Sequence, residues 1–344
     1  MGAGRHATLS TAQSSAQYCR YGADKLNNFV VAMIAEIPGV RSAKDIECIH
    51  RMRVASRRAR SALKLFGACF PDHMLKHWQK GVRSVTRSLG AARDLDVQID
   101  VLKKFREANT QIDLKMGINH VLYHIRQKRR ETQKDVITSI DKMKKKNLLH
   151  EIMAYLQKSQ EKDVPIKESN PSQFILHQAR TNIIDQLDGL LEYRSYTNQE
   201  DADEELHQMR IAAKRLRYTM EIFSDLYGEE FIVFIKATKK LQKYLGEMHD
   251  CVVWLAYLSK FLQEEKKHTR RYKRTEERLR AIERGVHYFE VNRKKFRGRK
   301  YRDFFKHWQE ITAMDLFGKL RKYLTEKTAS RKPRTVHREG KRKA

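Results

Sequence analysis

The segment Ile49-His50-Arg51-Met52-Arg53-Val54-Ala55-Ser56-Arg57-Arg58-Ala59-Arg60 returns in the second half as Leu206-His207-Gln208-Met209-Arg210-Ile211-Ala212-Ala213-Lys214-Arg215-Leu216-Arg217. A chain that repeats itself in this way is a tandem duplication, so its fold must be buildable twice from one plan. Each copy opens on a histidine and follows it with basic residues at spacings of three, four and three. At about 100° per residue, His50, Arg53, Arg57 and Arg60 share roughly a quarter of a helix circumference. His207, Arg210, Lys214 and Arg217 form the same stripe in the second copy. Ile49, Met52, Ala59, Leu63 and Phe66 gather on the opposite side, as do Leu206, Met209, Ala213, Leu216 and Met220. Each copy therefore reads as a helix with one core face and one cationic face.

The duplication extends downstream. Lys80, Arg83 and Arg87 precede Leu89-Gly90-Ala91-Ala92-Arg93-Asp94, and Lys236, Lys239 and Lys243 precede Leu245-Gly246-Glu247-Met248-His249-Asp250. Their spacings of three and four put each trio on one side of a further helix. Gly90 and Gly246 read as positions where one helix ends before the next begins. Asp94 and Asp250 would then sit in a first turn, where a carboxylate suits the positive end of the dipole. An ion pair that fixes a stripe arginine, or a catalytic role, are the alternatives for these aspartates.

Long segments of helical period, with only five prolines and fifteen glycines to interrupt them, predict an all-α protein. Helices are expected at about 14–36, 45–67, 72–89, 92–108, 115–140 and 144–160. The second half repeats them at about 172–194, 202–226, 229–245, 248–267, 269–294 and 301–325. Pro38-Gly39, Gly67 with Pro71, Gly228 and the polar stretch from Pro165 to Pro171 mark breaks. This divides the chain into a first helical repeat at 1–165, a second at 166–327, and a disordered basic tail at 328–344.

The formal net charge is +29 despite 42 acidic residues. Self-repulsion of this size opposes compaction, so a bound polyanion would both gain binding energy and stabilise the fold. The four cysteines, Cys19, Cys48, Cys69 and Cys251, are widely spaced with no Cys-x-x-Cys pair. That pattern argues against a zinc ribbon, a redox motif or a disulfide framework, and fits a reducing compartment. No uncharged apolar run is long enough for a membrane span and the start has no signal core, which predicts a soluble cytoplasmic protein.

The paired His-x-Met-Arg-(Val/Ile)-Ala-x-(Arg/Lys)-Arg-x-Arg segments at His50 and His207, with the paired Leu-Gly-x-x-(Arg/His)-Asp segments at Leu89 and Leu245, resemble the CHAD family, the conserved histidine α-helical domain. The resemblance runs over almost the whole chain. It implies two pseudo-symmetric four-helix units with additional helices around a basic central channel, binding of inorganic polyphosphate, and association with polyphosphate granules. Two departures from the pattern are mild: Lys214 stands where the first copy has Arg57, and His249 where it has Arg93. The Glu-x-Glu-x-Lys strand motif of the triphosphate-processing domain fused to some members is absent.

A linear polyphosphate offers ionised oxygens and no bases, sugars or apolar groups, so its receptor works through charge, hydrogen bonds and shape. Arginine forks give bidentate contacts and lysines give mobile point charges. The expected binding residues are thus His50, Arg53, Arg57 and Arg60 with Lys80, Arg83 and Arg87, and their counterparts His207, Arg210, Lys214 and Arg217 with Lys236, Lys239 and Lys243. A bound polyanion favours imidazolium, so binding should strengthen below about pH 6.5 if the histidines touch phosphate; alternatively each orients a neighbour. His73 with His77, and His120 with His124, have ligand-like i,i+4 spacing but lack the Glu of His-Glu-x-x-His, and read as solvated helix faces with no metal.

Two other functions compete. Basic runs at 126–130, 270–274 and 294–302 could contact nucleic acid, but the stripes carry little aromatic material beyond Tyr218 for base stacking. Nucleic acid is therefore expected only as a weak secondary ligand. An enzyme acting on polyphosphate would need metal-holding carboxylates or a nucleotide loop, and no Gly-x-x-x-x-Gly-Lys-(Ser/Thr) sequence occurs. The expectation is a binding protein with no catalytic residues and no cofactor.

Overall fold

The computed structural model describes the backbone of residues 3–43, 45–161, 173–272 and 276–329. Among these residues the chain forms ten α-helices and no strand. In order they are α1 (Ala3–Ser42), α2 (Ile46–Leu65), α3 (Asp72–Glu107), α4 (Ile112–Lys145) and α5 (Leu148–Glu161), then α6 (Gln173–Leu191), α7 (Asp203–Ile222), α8 (Phe231–Tyr272), α9 (Glu276–Ala313) and α10 (Leu316–Ala329). The two duplicated motif segments are α2 and α7, each followed by a short 3-10 turn, at Gly67–Cys69 and Ser224–Leu226. At the start of α2 the Asp45 carboxylate accepts the Glu47 N–H at 2.8 Å, which satisfies an otherwise unpaired donor. The proposed join at Pro165 to Pro171, and the tail beyond Ala329, lie outside the described residues.

The long helices correct three expected breaks. α3 continues through Gly90 and α8 through Gly246, and among the described residues no glycine has a positive φ. A mid-helix glycine costs only about 1 kcal/mol, and the buried neighbours Leu89 and Ala92, or Leu245 and Met248, hold the helix on its course. Asp94 and Asp250 therefore stand mid-helix, not in a first turn. Likewise α1 passes Pro38 and stops only at Ser42, where Ala43 turns left-handed at φ 51°.

All ten residues assigned to the core faces of α2 and α7 are buried. They belong to one apolar cluster that runs from Tyr18 in α1 to Leu324 in α10 and draws on both halves of the chain. Phe66 and Phe223, at the ends of α2 and α7, meet edge to face with ring centres 5.8 Å apart. A second cluster joins α3 and α4 to α8 and α9 through Leu102, Val121, Leu258 and Val286. There α4 and α9 cross so closely that a Cβ on Gly117 would lie 2.9 Å from the Ala281 carbonyl oxygen, and one on Gly285 would lie 2.9 Å from Gly117 Cα.

The cysteine reading also needs correction. Cys19 in α1 and Cys69 in the turn after α2 form a disulfide. Packing brings their Cα atoms to 5.2 Å across 50 residues of sequence, a proximity that spacing along the chain cannot reveal. Cys48 and Cys251 are free and buried.

Candidate anion-binding site

α2 and α7 pack against each other, and each packs against the long helix that follows it, α3 or α8. One ion pair crosses their seam, and Tyr21 of α1 ties down the end of α7. The Tyr21 hydroxyl donates to the Ile222 carbonyl at 2.9 Å and to Asp225 at 2.7 Å. Glu221 of α7 takes Arg58 of α2 at 3.2 Å and Arg217 of its own helix at 3.4 Å. Because the apolar faces of both helices point into one core, their cationic faces are left to turn outward beside α3 and α8.

At the centre, Arg53 pairs with Asp94 of α3 at 3.2 Å, while its Nε is buried without a hydrogen-bond partner. Its guanidinium crosses α3 where Gly90 leaves room: a Cβ there would lie 3.8 Å from Arg53 Nε. The second half repeats the arrangement, with Arg210 Nε lying 3.6 Å from the position of a Cβ on Gly246 of α8. Burial, then the neighbouring Arg57, pulls the Arg53 pKa down, against the pull of Asp94. Partial desolvation raises the Asp250 carboxyl above the usual range, opposed by Arg210 and reinforced by Asp94. Two Arg–Asp neighbourhoods thus lie within electrostatic reach of each other.

The like charges of the two stripes also meet. Burial, followed by repulsion from Arg57, Arg210, Arg215 and Arg53, lowers the Lys214 pKa to about 8. Arg60 is similarly depressed by burial and then by Arg83, Arg57 and Arg87, so the α2 and α3 stripes converge. Not every expected residue joins them as a free cation. Lys80, Lys236 and Lys239 are exposed on α3 and α8; Lys243 leans on Glu247 at 4.0 Å, and Arg217 is held by Glu221 with its guanidinium 4.7 Å from the Tyr218 ring centre.

The histidines sit at the other end of the stripes. His50 and His207 each bury an Nδ1 that has no hydrogen-bond partner. Burial lowers both pKa values, helped by Arg93 for His50 and by Arg210 for His207. The His207 ring lies against His249 at 3.9 Å between centres, and burial with His207 beside it brings His249 to about 4. Both motif histidines are therefore neutral at pH 7, and the expected onset of protonation near pH 6.5 moves downward in the free protein.

Three residues that belong to this centre were not among the expected binding residues. Arg93 pairs with Glu47 at 3.3 Å and acts on His50, His249 stacks on His207, and Arg215 adds to the charge around Lys214. Arg93 and His249 occupy matching places in the Leu-Gly motif, and that correspondence is the signal that could have found them. A cleft of about 810 Å³ lies elsewhere, lined by Arg106, Tyr123, Arg126 and Arg130 among others, and includes no stripe residue. Among the described residues no helix is long and apolar enough to cross a membrane.

The fold and site define an all-helical protein with a desolvated cationic centre shared between two related helices. A family model for the CHAD domain matches residues 25–259, and the chain belongs to that family. The crystal structure of the CHAD domain from the plant Ricinus communis is similar, with a TM-score of 0.63 and 22% identity over 84% of this chain and 90% of that one. PptA from Streptomyces chartreusis is also similar, with a TM-score of 0.56 and 13% identity over 85% of this chain and 99% of the other. At these identities the two structures speak for the fold alone. A search of curated proteins found no match.

Proposed function

We propose that the protein binds inorganic polyphosphate along the facing stripes of α2 and α7, and that this recruits it to polyphosphate granules. The observation that carries the reading is Lys214, a half-buried ammonium in the field of four arginines. Crowding of this kind destabilises the free protein, and a chain of phosphates relieves it by supplying one negative charge per unit. Arg53, Arg57 and Arg210 add planar forks suited to phosphate oxygens. The centre is rich in cations and its aspartates are drawn toward arginines, an arrangement that holds a phosphate chain without cleaving it. The protein acts as a binding module in this reading, with nucleic acid as a weak competitor.

The test is a titration with long-chain polyphosphate and with single-stranded DNA of matched charge, at fixed salt because counterion release makes both ligands salt-sensitive. Wild type should prefer polyphosphate, and a variant with Ala at Arg53, Arg57, Arg210 and Lys214 should lose that preference. Equal binding of both ligands by both proteins would mean a generic basic surface. Incubation with polyphosphate and magnesium should release no orthophosphate; release would make the protein an enzyme. A fluorescent fusion should collect on granules in wild-type form and disperse when the four positions are Ala.

A further inference from the structure

Away from the stripes, two helices bring a different set of donors together. His120 and His124 lie one turn apart on α4, and Glu265 reaches them from α8. Glu265 Oε2 is 3.0 Å from His120 Nε2, and Oε1 is 3.5 Å from His124 Nε2. The three donor atoms all fall within 4.8 Å of one another. The spacing of the histidines alone suggested a solvated face, but the His120 side chain is only 14% exposed and that of Glu265 only 7%. The residue that changes the reading lies some 140 positions downstream, beyond the reach of a local motif.

We infer that His120, His124 and Glu265 form a binding site for a divalent ion of the zinc class. A simple ion pair is a poor account of the cluster. It needs one histidine with its N–H aimed at the carboxylate, whereas two converge here and the 3.0 Å approach of the buried His120 Nε2 to Glu265 is not aligned as a hydrogen bond. Donor atoms on a tetrahedral zinc ion, bound at about 2.0–2.1 Å, sit roughly 3.3 Å apart, close to both separations from Glu265. Two imidazoles and one carboxylate favour zinc over magnesium or calcium, which take oxygen ligands. The Phe261 ring closes one side, 5.9 Å from the His120 ring and 5.4 Å from that of His124. His124 is 43% exposed and opens the other side to solvent, leaving a fourth position for water.

The second histidine pair makes an internal control. His77 approaches Glu151 at 3.6 Å, but both are more than a third exposed, and Glu151 also accepts the Trp78 indole N–H. Chelator-stripped protein should be titrated with Co²⁺ while visible absorption is followed, and Zn²⁺ should then displace it. One equivalent of Co²⁺ is expected, with His73→Ala unchanged. Glu265→Gln and His124→Ala should bind about 100-fold more weakly. His124 is exposed enough for its variant to keep the fold, which circular dichroism checks, so that variant decides the matter if Glu265→Gln fails to fold. No saturable spectrum in wild type, or binding by folded His124→Ala equal to wild type, would overturn the site. Neither result bears on polyphosphate binding, which is measured separately.

Discussion

Lys214 and the motif histidines show how one site can respond to pH in two directions. With its pKa near 8, Lys214 sheds its proton above that pH in the free protein, while a bound polyanion holds the proton on. Polyphosphate affinity should thus weaken as pH rises above about 8. The stability contribution has the opposite sign, because an unfolded lysine keeps its proton up to about 10.5 and the folded one does not. Free protein should gain stability between about pH 8 and 10.5, and Lys214→Gln should lose both trends when affinity and thermal midpoint are measured together. At pH 7 His50, His207 and His249 are neutral in the free protein, and beside phosphate they take up a proton more readily as pH falls. Affinity should rise as pH falls through their pKa values in the complex and level off below the free values, near 4 for His249. Isothermal titration in buffers of different ionisation heat should detect proton uptake; equal apparent heats would remove the histidines. The stripes themselves were legible as residues, since helical phase is a local property, but the depressed pKa values come first from burial in the packed fold, and then from charges that include Arg93, 43 positions from His50, and Arg57, 157 positions from Lys214.

At the scale of elements, the glycines divide into two kinds. Gly90 and Gly246 read as helix ends in the sequence, and only the structure shows them inside continuous helices beneath arginines. Added Cβ atoms there would make ordinary contacts at 3.8 and 3.6 Å. Gly90→Ala should therefore raise stability by about 0.5–1 kcal/mol through helix propensity. Gly117 and Gly285 face each other with no such room, so Gly117→Ala should destabilise by about 1–3 kcal/mol as α4 and α9 are pushed apart. Urea denaturation of the two variants compares them directly, and a stabilised Gly117→Ala would mean that the crossing is looser than it looks. The core faces of α2 and α7 could be read from sequence because burial follows the helical period. The continuity of α3 and α8 could not, because packing on both sides of the glycine outweighs its local preference.

For the whole molecule, the bridge between Cys19 and Cys69 closes a loop of 50 residues, and loop-closure entropy puts its contribution at about 4 kcal/mol. Reduction should lower the denaturation midpoint accordingly, and Cys69→Ser should match reduced wild type; an unchanged midpoint would mean that the bridge does not form in solution. The all-helical fold class was readable from the chain, whereas the bridge and the apolar cluster that draws on both halves exist only in three dimensions. That shared cluster affects the protein while it is being made. Phe66 packs on Tyr18 of α1 at 5.0 Å as soon as both are made, but Phe223 comes 157 residues later, so the part of the α2 apolar face that meets α7 leaves the ribosome uncovered. At 5–20 residues per second the wait is roughly 8–30 s, and during that interval the nascent chain is open to aggregation or to a chaperone. Codon usage between the two helices, which changes no residue, should consequently alter the yield of folded protein.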